Sequence, residues 1–404
     1  MTSQSKISRR MSQSAVIQAI ANLAPVSRAS VAKVTGLSKQ TVSEIVGNLE
    51  VEGWIREVGQ TEGHIGRRAV VYEISPAAAT VASVDLGGTK VRVALCDLRG
   101  KVLAEEIEPT APAGGSDVVD QIARLVRRAA AAPGAGIGLL QTAVVGVPGV
   151  PDPKSGAILM APNIVGIDRI DLAGSLREML GVEVFVENDV NLAALGEHWL
   201  GNRGEGDDLV FISVGTGIGA GIVMGGTLLR GHSGAAGEIG YLPFGTDPFE
   251  PESLGTGALE RAAATEAIIQ GFEARSGHRL TVPAVFDAAA AGDQHAQETL
   301  DAVSRQIARA ICAMVAIVDP SVVVIGGSIG AREELLARIR HFVSLCYPRP
   351  VTVERSHLGD HAALAGGASI ALSHLHLTLF AEGQSGARIA VPPPAIEDFK
   401  AGAR

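Results

Sequence analysis

The chain has 404 residues, 47% of them hydrophobic, with three cysteines and a formal net charge of −9. That length and apolar content provide for two or three packed domains, and the scattered Cys96, Cys312 and Cys346 argue against a disulfide framework or a cysteine-based metal site. The acidic total hides a division: residues 1–75 carry 9 Lys/Arg and 6 Asp/Glu, net +3, while the 25 basic and 37 acidic residues of 76–404 give −12, so only the head suits a phosphate backbone.

Val16, Ile17, Ile20 and Leu23 recur at helical spacing, and Pro25 ends this first helix. Neither a signal peptide nor a transmembrane helix is expected there, because Met11 to Val26 is too short and too broken. Ser27 caps a second helix from about Arg28 to Thr35, and Gly36 makes a turn. Ser38 then caps a third helix with the inner stripe Val42, Ile45, Val46 and Leu49. This is a helix-turn-helix whose second member offers Ser38, Lys39, Gln40, Thr41, Ser43 and Glu44 to a major groove. Gln pairs with adenine, and Lys and Ser meet guanine or phosphate. Two strands follow, Trp54–Val58 and Ala69–Ile74, joined by a loop with Gly59, Gly63, Gly66, Arg67 and Arg68. They read as a wing whose paired arginines suit phosphate or minor-groove contact. The first 76 residues are thus expected to be a winged helix-turn-helix DNA-binding domain; the competing reading is a docking module with solvated charges.

The apolar strand Val81–Val84 leads into Asp85-Leu-Gly-Gly-Thr-Lys90 and a hairpin partner, Val91–Leu95. Gly87 and Gly88 allow backbone N–H groups to approach phosphate oxygens, Thr89 adds a hydroxyl and Lys90 a charge, although an ordinary tight β-turn has the same composition. Gly146-Val-Pro-Gly-Val-Pro-Asp152, Ala161-Pro-Asn163 and Glu187-Asn-Asp-Val-Asn191 place Asn163, Asn188 and Asp189 at strand or loop ends, where ligands are held. Asp189 can serve as a base toward a sugar hydroxyl, or simply cap the helix that follows it. A second glycine segment, Val214–Gly221 with Gly215, Thr216 and Gly217, follows the strand Leu209–Ser213. Two such strand-borne loops are more specific than either alone, and neither is a Walker A or dinucleotide loop. A third, Val322–Gly330, would admit a nucleotide base or be a plain strand-to-helix turn. From about Glu382 the chain, with Pro392-Pro-Pro394, reads as a mobile tail.

Over most of residues 10–375 these motifs resemble the ROK family (repressors, open reading frames and kinases), in its regulator branch. The resemblance implies an α/β fold of the actin-like, ribonuclease H-like sugar-kinase type, two lobes around a cleft, behind the winged head. The first lobe would span 77–190, completed by about 362–381, and the second 191–361. Asp85–Lys90 and Val214–Gly221 match the family's two phosphate segments, Asp189 its catalytic base, and Gly237-Glu-Ile-Gly-Tyr241 its sugar-binding Gly-Glu-x-Gly-His segment. Sugar would be held by Asn163, Asn188, Asp189, Glu238 and Glu260. Where the family has a zinc site of that His and a Cys-x-Cys-Gly-x-x-Gly-Cys run, this chain has Tyr241, Pro251-Glu-Ser253, Leu254 and Gly257-Ala258. No structural zinc is therefore expected. Tyr241 either donates a hydroxyl hydrogen bond to sugar or fills space with its ring.

The function that follows is a cytoplasmic, sugar-responsive transcriptional regulator, most simply a repressor, whose partners are operator DNA and a sugar or sugar phosphate. It would act as a homodimer or homotetramer, away from membranes, and regulation would need no cofactor. The alternative is an ATP- and Mg-dependent sugar kinase with an added DNA-binding domain.

Overall fold

The computed structural model describes residues 3–60, 68–152, 155–161, 164–201, 208–380 and 392–400. The head is built from α1 (Ser3–Leu23), β1 (Val26–Ser27), α2 (Arg28–Thr35), α3 (Lys39–Val51), β2 (Ile55–Gln60) and β3 (Val70–Ile74). Its helix starts are set locally. Ser27 Oγ accepts from Ser30 N at 3.2 Å, and Ser38 Oγ from Thr41 N at 3.0 Å, each satisfying one of the otherwise orphaned first-turn donors. Gly36, left-handed at φ 70°, closes α2. Val16, Ile17 and Ile20 of α1 and Val42, Val46 and Leu49 of α3 are fully buried where the two helices pack together, whereas Leu23 in the last turn of α1 is 45% exposed. The strands pair in the order β1-β3-β2, β2 and β3 antiparallel with a bulge between Glu57 and Gly59. The Arg28 guanidinium lies over the Tyr72 ring, 5.1 Å from its centroid, and ion-pairs with Glu50, tying α2 to the sheet and to α3.

Beyond the head come β4 (Thr80–Leu86), β5 (Lys90–Asp97), β6 (Val102–Pro109), α4 (Gly115–Ala129), β7 (Leu140–Val147), β8 (Val150–Pro151) and β9 (Ile158–Leu159). These are followed by α5 (Leu172–Leu180), β10 (Glu183–Asn188), α6 (Asp189–Leu200), β11 (Leu209–Val214), β12 (Ile218–Met224) and β13 (Thr227–Leu228). Short helices α7 (Pro251–Thr256) and α8 (Glu260–Ala263) precede α9 (Thr265–Ser276), α10 (Val282–Ala290) and α11 (Gln294–Val318). The chain continues through β14 (Val322–Gly326), α12 (Glu333–Cys346), β15 (Val353–Arg355), α13 (Ala362–Phe380) and α14 (Ile396–Lys400). Among the described residues no helix is long and apolar enough to cross a membrane.

The chain divides into two compact units, one of Met1–Val147, Ala161–Val186 and Gly367–Arg404, the other of Pro148–Met160 and Glu187–Gly366. In the first, a five-stranded sheet runs β10-β7-β4-β5-β6, with β4 parallel to β7 and antiparallel to β5. Its central strand β4 is buried at every residue but Asp85, with Thr80 and Ser83 buried among apolar neighbours in sequence, as expected of a strand covered on both faces beside a parallel neighbour. The head joins this unit at an ion pair: Glu73 of β3 accepts both Arg56 and, at 3.2 Å, Arg99 from the turn after β5. Helix α14 falls in the stretch read from sequence as a mobile tail. Phe399, wholly buried where α14 packs on β6, anchors it, and burying an aromatic ring is worth about 1.5–3 kcal/mol.

The second unit carries a five-stranded sheet β13-β12-β11-β14-β15, in which β11 is antiparallel to β12 and parallel to β14. Ile212 of β11 and Ile325 of β14 are fully buried, as are Ile307 and Ile311 of α11 and Leu335, Leu336 and Ile339 of α12. Helix α6 lies on β11 and β12. A side chain at Gly221 of β12 would press within 2.6 Å of Val190 O and the Ala194 methyl group, so the glycine here serves close helix-to-sheet packing. Correspondingly, only Gly215–Gly217 of the segment Val214–Gly221 is turn; Ile218–Gly221 is already strand.

Candidate functional site

In the head, the N-terminal turns of α3 leave Lys39, Gln40, Ser43 and Glu44 exposed. Ser38 and Thr41, expected beside them as DNA contacts, are engaged with each other in the cap: their hydroxyls are 2.8 Å apart, and Ser38 also accepts the Thr41 amide. Arg68 is exposed before β3, and Arg67 lies outside the described residues.

The first glycine turn belongs to the first unit. Asp85 pairs with Arg92 in the β4–β5 ladder, Gly87 N donates to Lys90 O at 2.9 Å, and Gly88, Thr89 and Lys90 are exposed. Thr110, which no sequence signal singled out, braces the turn, its hydroxyl donating to Gly87 O at 2.6 Å and its amide to Thr89 O at 3.1 Å.

The second turn lies in the other unit, among several candidate residues. Gly215 N donates to Gly217 O at 2.9 Å, and the Thr265 amide and hydroxyl both donate to Gly215 O, at 3.0 and 2.9 Å. The turn after β14 packs against it: Ile329 N and Gly330 N both reach Val214 O at 3.0 Å. The next amide, Ile218 N, donates to Glu260 Oε2 at 2.9 Å. Glu260, at the start of α8 and expected from the sequence to contact sugar, therefore grips the glycine turn.

Glu238 and Tyr241 reach the same place by another route. Gly237 sits at φ 97° with its amide neighbourhood pressed to β12, Ala220 N donating to Gly237 O at 2.8 Å, and a Cβ there would collide with Ala220 O. Only glycine meets both demands. It delivers Glu238 to the start of the short 3-10 helix Ile239–Tyr241. Burial holds the Glu238 carboxyl above the usual carboxylate range. Burial also raises Glu260, against the opposing Ile218 hydrogen bond, and the Glu238 charge raises it further. The Tyr241 phenol is raised first by burial, then by both glutamates. Two partly buried carboxylates and a phenol thus share one field, an arrangement suited to accepting hydrogen bonds from neutral hydroxyls. The Tyr241 hydroxyl itself donates to Gly255 O at 3.3 Å.

The segment Glu187–Asn191 opens α6. Asn188 is its N-cap: the side-chain oxygen accepts from Asn191 N at 2.9 Å, and Nδ2 donates to Gly149 O at 2.9 Å. Asp189 is the first helical residue, half-buried, its carboxylate accepting Val190 N at 2.9 Å. The capping role considered for Asp189 thus belongs to Asn188. Glu187 is buried; its two oxygens accept Asn188 N, Asn191 Nδ2 and, at 2.6 Å, Arg230 Nε. Its position beside Asn188 and Asp189 was the only hint of that role in the sequence, and Arg230 carried none. Asn163 lies outside the described residues.

At the family's zinc positions the chemistry does not fit a metal. Tyr241 is bonded to Gly255, Ser253 is buried with its hydroxyl donated to Asp247 O at 2.7 Å, and Ala258, buried at the last Cys position, offers only a methyl group. Among the described residues no group of three or more His, Cys, Asp or Glu side chains is placed to hold a metal ion.

Comparison with known proteins agrees with this architecture. The xylose repressor of Caldicellulosiruptor bescii is 27% identical over 385 residues, covering 89% of this chain and 95% of its own. The glucokinase of Thermotoga maritima is 32% identical over 312 residues, 71% of this chain and 95% of that enzyme. The crystal structure of a ROK family transcriptional regulator, a homolog of the E. coli MLC protein, superposes with a TM-score of 0.73 at 23% identity, covering 92% of this chain and 98% of that one. The fold is accordingly the actin-like sugar-kinase fold preceded by a winged helix-turn-helix. A sequence profile described as "ROK family" matches residues 81–374, and the chain belongs to the ROK family.

Proposed function

We propose that this chain is a sugar-responsive transcriptional repressor that binds operator DNA through its head and a sugar, or a sugar phosphate, through the body that follows it. The observation that carries the reading is the joining, in one chain, of a helix with exposed Lys39, Gln40 and Ser43 to a body holding Glu238 and Glu260 in one partly buried field. Lys39, Gln40, Ser43, Arg67 and Arg68 contact DNA, with Ser38 and Thr41 shaping the helix start. Asn163, Asn188, Asp189, Glu238, Tyr241 and Glu260 hold the sugar. The relative named a xylose repressor supports the regulatory reading. No cofactor, and no structural zinc, is needed for it. A homodimer or homotetramer in the cytoplasm fits the symmetry of paired recognition helices, which read half-sites about 34 Å apart.

An effector changes operator affinity only through unequal affinity for two protein states, and a complete switch takes a preference of about 5.5 kcal/mol. The test is operator binding by fluorescence anisotropy across a panel of hexoses, pentoses and their phosphates. Glu238→Ala loses the sugar response and keeps operator affinity; Gln40→Ala does the reverse, losing about 1–3 kcal/mol of operator affinity while sugar still stabilises the protein. An unchanged sugar response in Glu238→Ala would remove the site.

A kinase reading is favoured by one observation, the retention of both glycine turns with Asp189 half-buried at the start of α6. On that reading the candidate contacts for ATP with Mg are Asp85, Gly87, Gly88, Thr89 and Lys90 in the first unit and Gly215, Thr216 and Gly217 in the second. Against it, Gly215 N and Ile218 N already have protein acceptors, leaving fewer amides for a phosphate. ADP release that depends on Asp189, measured with Asp189→Asn as control, would establish turnover.

A further inference from the structure

The loop between Tyr241 and Glu260 carries no metal-ligand set, yet it is tightly bound to itself. Its centre is Ser253, 3% exposed on α7. The Ser253 hydroxyl has one proton to give, and gives it to Asp247 O at 2.7 Å. Its remaining capacity is to accept, and Arg261 Nη1 donates to it at 2.6 Å. The same Arg261 nitrogen reaches Glu250 Oε2 at 2.7 Å, in an ion pair whose arginine side chain is 27% exposed. The Thr246 hydroxyl donates to Ala258 O at 3.0 Å, and Leu259 N donates to Gly240 O at 3.0 Å, so both ends of the loop are stitched to the residues just before α8. Arg261 is the covalent neighbour of Glu260, whose carboxylate holds Ile218 N of the glycine turn.

We propose that Arg261, bridging Ser253 and Glu250, is a positioning residue that takes over the role of a metal in this loop and fixes Glu260 between the sugar site and the glycine turn. An exposed ion pair alone contributes little. The bridge matters because one arm ends on a buried hydroxyl with no other strong donor, and because a guanidinium holds its two acceptors at fixed directions. Removing it frees α7 and the Asp247–Glu250 loop from α8, and Glu260 loses its fixed direction. The consequence for effector binding rests on the sugar-responsive reading above; the consequence for loop order does not.

The experiment uses the full chain. Hydrogen exchange of the sugar-free protein reads the amides of Ile218 and Leu259 in wild type, Arg261→Ala and Ser253→Ala. Exchange at both amides should rise about 10-fold or more in Arg261→Ala and less in Ser253→Ala, with the head and the first unit unchanged. If Arg261→Ala fails to fold, Ser253→Ala decides the matter. Unaltered exchange at Ile218 and Leu259 overturns the proposal, and so does acceleration of wild-type exchange by EDTA, which would mean that a metal holds the loop. A second arm measures the sugar concentration for half-release of operator, which should rise about 10-fold in Arg261→Ala at constant sugar-free operator affinity, whereas an unshifted midpoint rejects the link to Glu260. If wild type ignores every sugar in the panel, it is the regulator reading that fails, and the exchange arm still tests the clamp.

Discussion

The head and the carboxylate site are built on opposite principles. In the head nearly every structural decision is made within four residues: Ser27 caps α2, Gly36 ends it and Ser38 caps α3. In the site the contacts that place the two carboxylates are distant in sequence. Glu260 finds its partner at Ile218, 42 positions back, and Gly237 is held by Ala220, 17 positions back. The head is therefore robust to small local losses, while the site depends on close approaches that one added methyl group can destroy.

That contrast can be broken at its strongest point by Gly237→Ala. The substitution forces a side chain onto a φ of 97° and against Ala220 O, at a cost on the order of 4 kcal/mol. Chemical denaturation should show the second unit unfolding at lower denaturant, with loss of sugar-dependent stabilisation and an unaltered head. A cost below about 1 kcal/mol would show that the strand and the Glu238 segment are not locked together. At the other pole, Ser38→Ala removes a cap worth about 1 kcal/mol. Its operator affinity should fall only in proportion to the lost stability of α3. A much larger loss, with the head's melting unchanged, would return Ser38 to direct DNA contact.

The smallest expected effect is the pH response of Glu238 and Glu260. Both carboxyls are raised in the folded protein, so the native state binds protons more readily than the unfolded chain. Their contribution is unfavourable once pH has risen above the folded values, and it disappears as pH falls below the ordinary carboxylate value. Glu238→Gln should accordingly be more stable than wild type at neutral pH, with the difference closing toward pH 4. A difference that stays flat over that range would remove burial as the cause of the shift.

The sequence was informative wherever spacing along the chain equals spacing in space. The helix-turn-helix, its caps and the stripe Val42, Ile45, Val46 and Leu49 were legible because a helix presents every third or fourth residue to one face. The strands around both glycine turns were legible as short apolar runs next to glycine. Leu23 broke its own periodicity: it continues the α1 stripe in sequence, yet in the last turn of that helix it is 45% exposed. Phe399 was missed because a single aromatic in a polar tail has no period to betray its burial.

The amino-acid sequence by itself determined the family, the winged head, the order of the glycine turns and the replacement of the metal ligands by Tyr241, Pro251, Ser253 and Ala258, since these are properties of residue type and local spacing. Only the tertiary structure decided that Asn188 rather than Asp189 caps α6, that Glu187 is shared between Asn191 and Arg230, and that Arg261 closes the loop beneath Glu260. Those choices depend on which backbone amides and buried hydroxyls are left needing a partner after the sheets and helices have packed, and that need exists only in the folded chain.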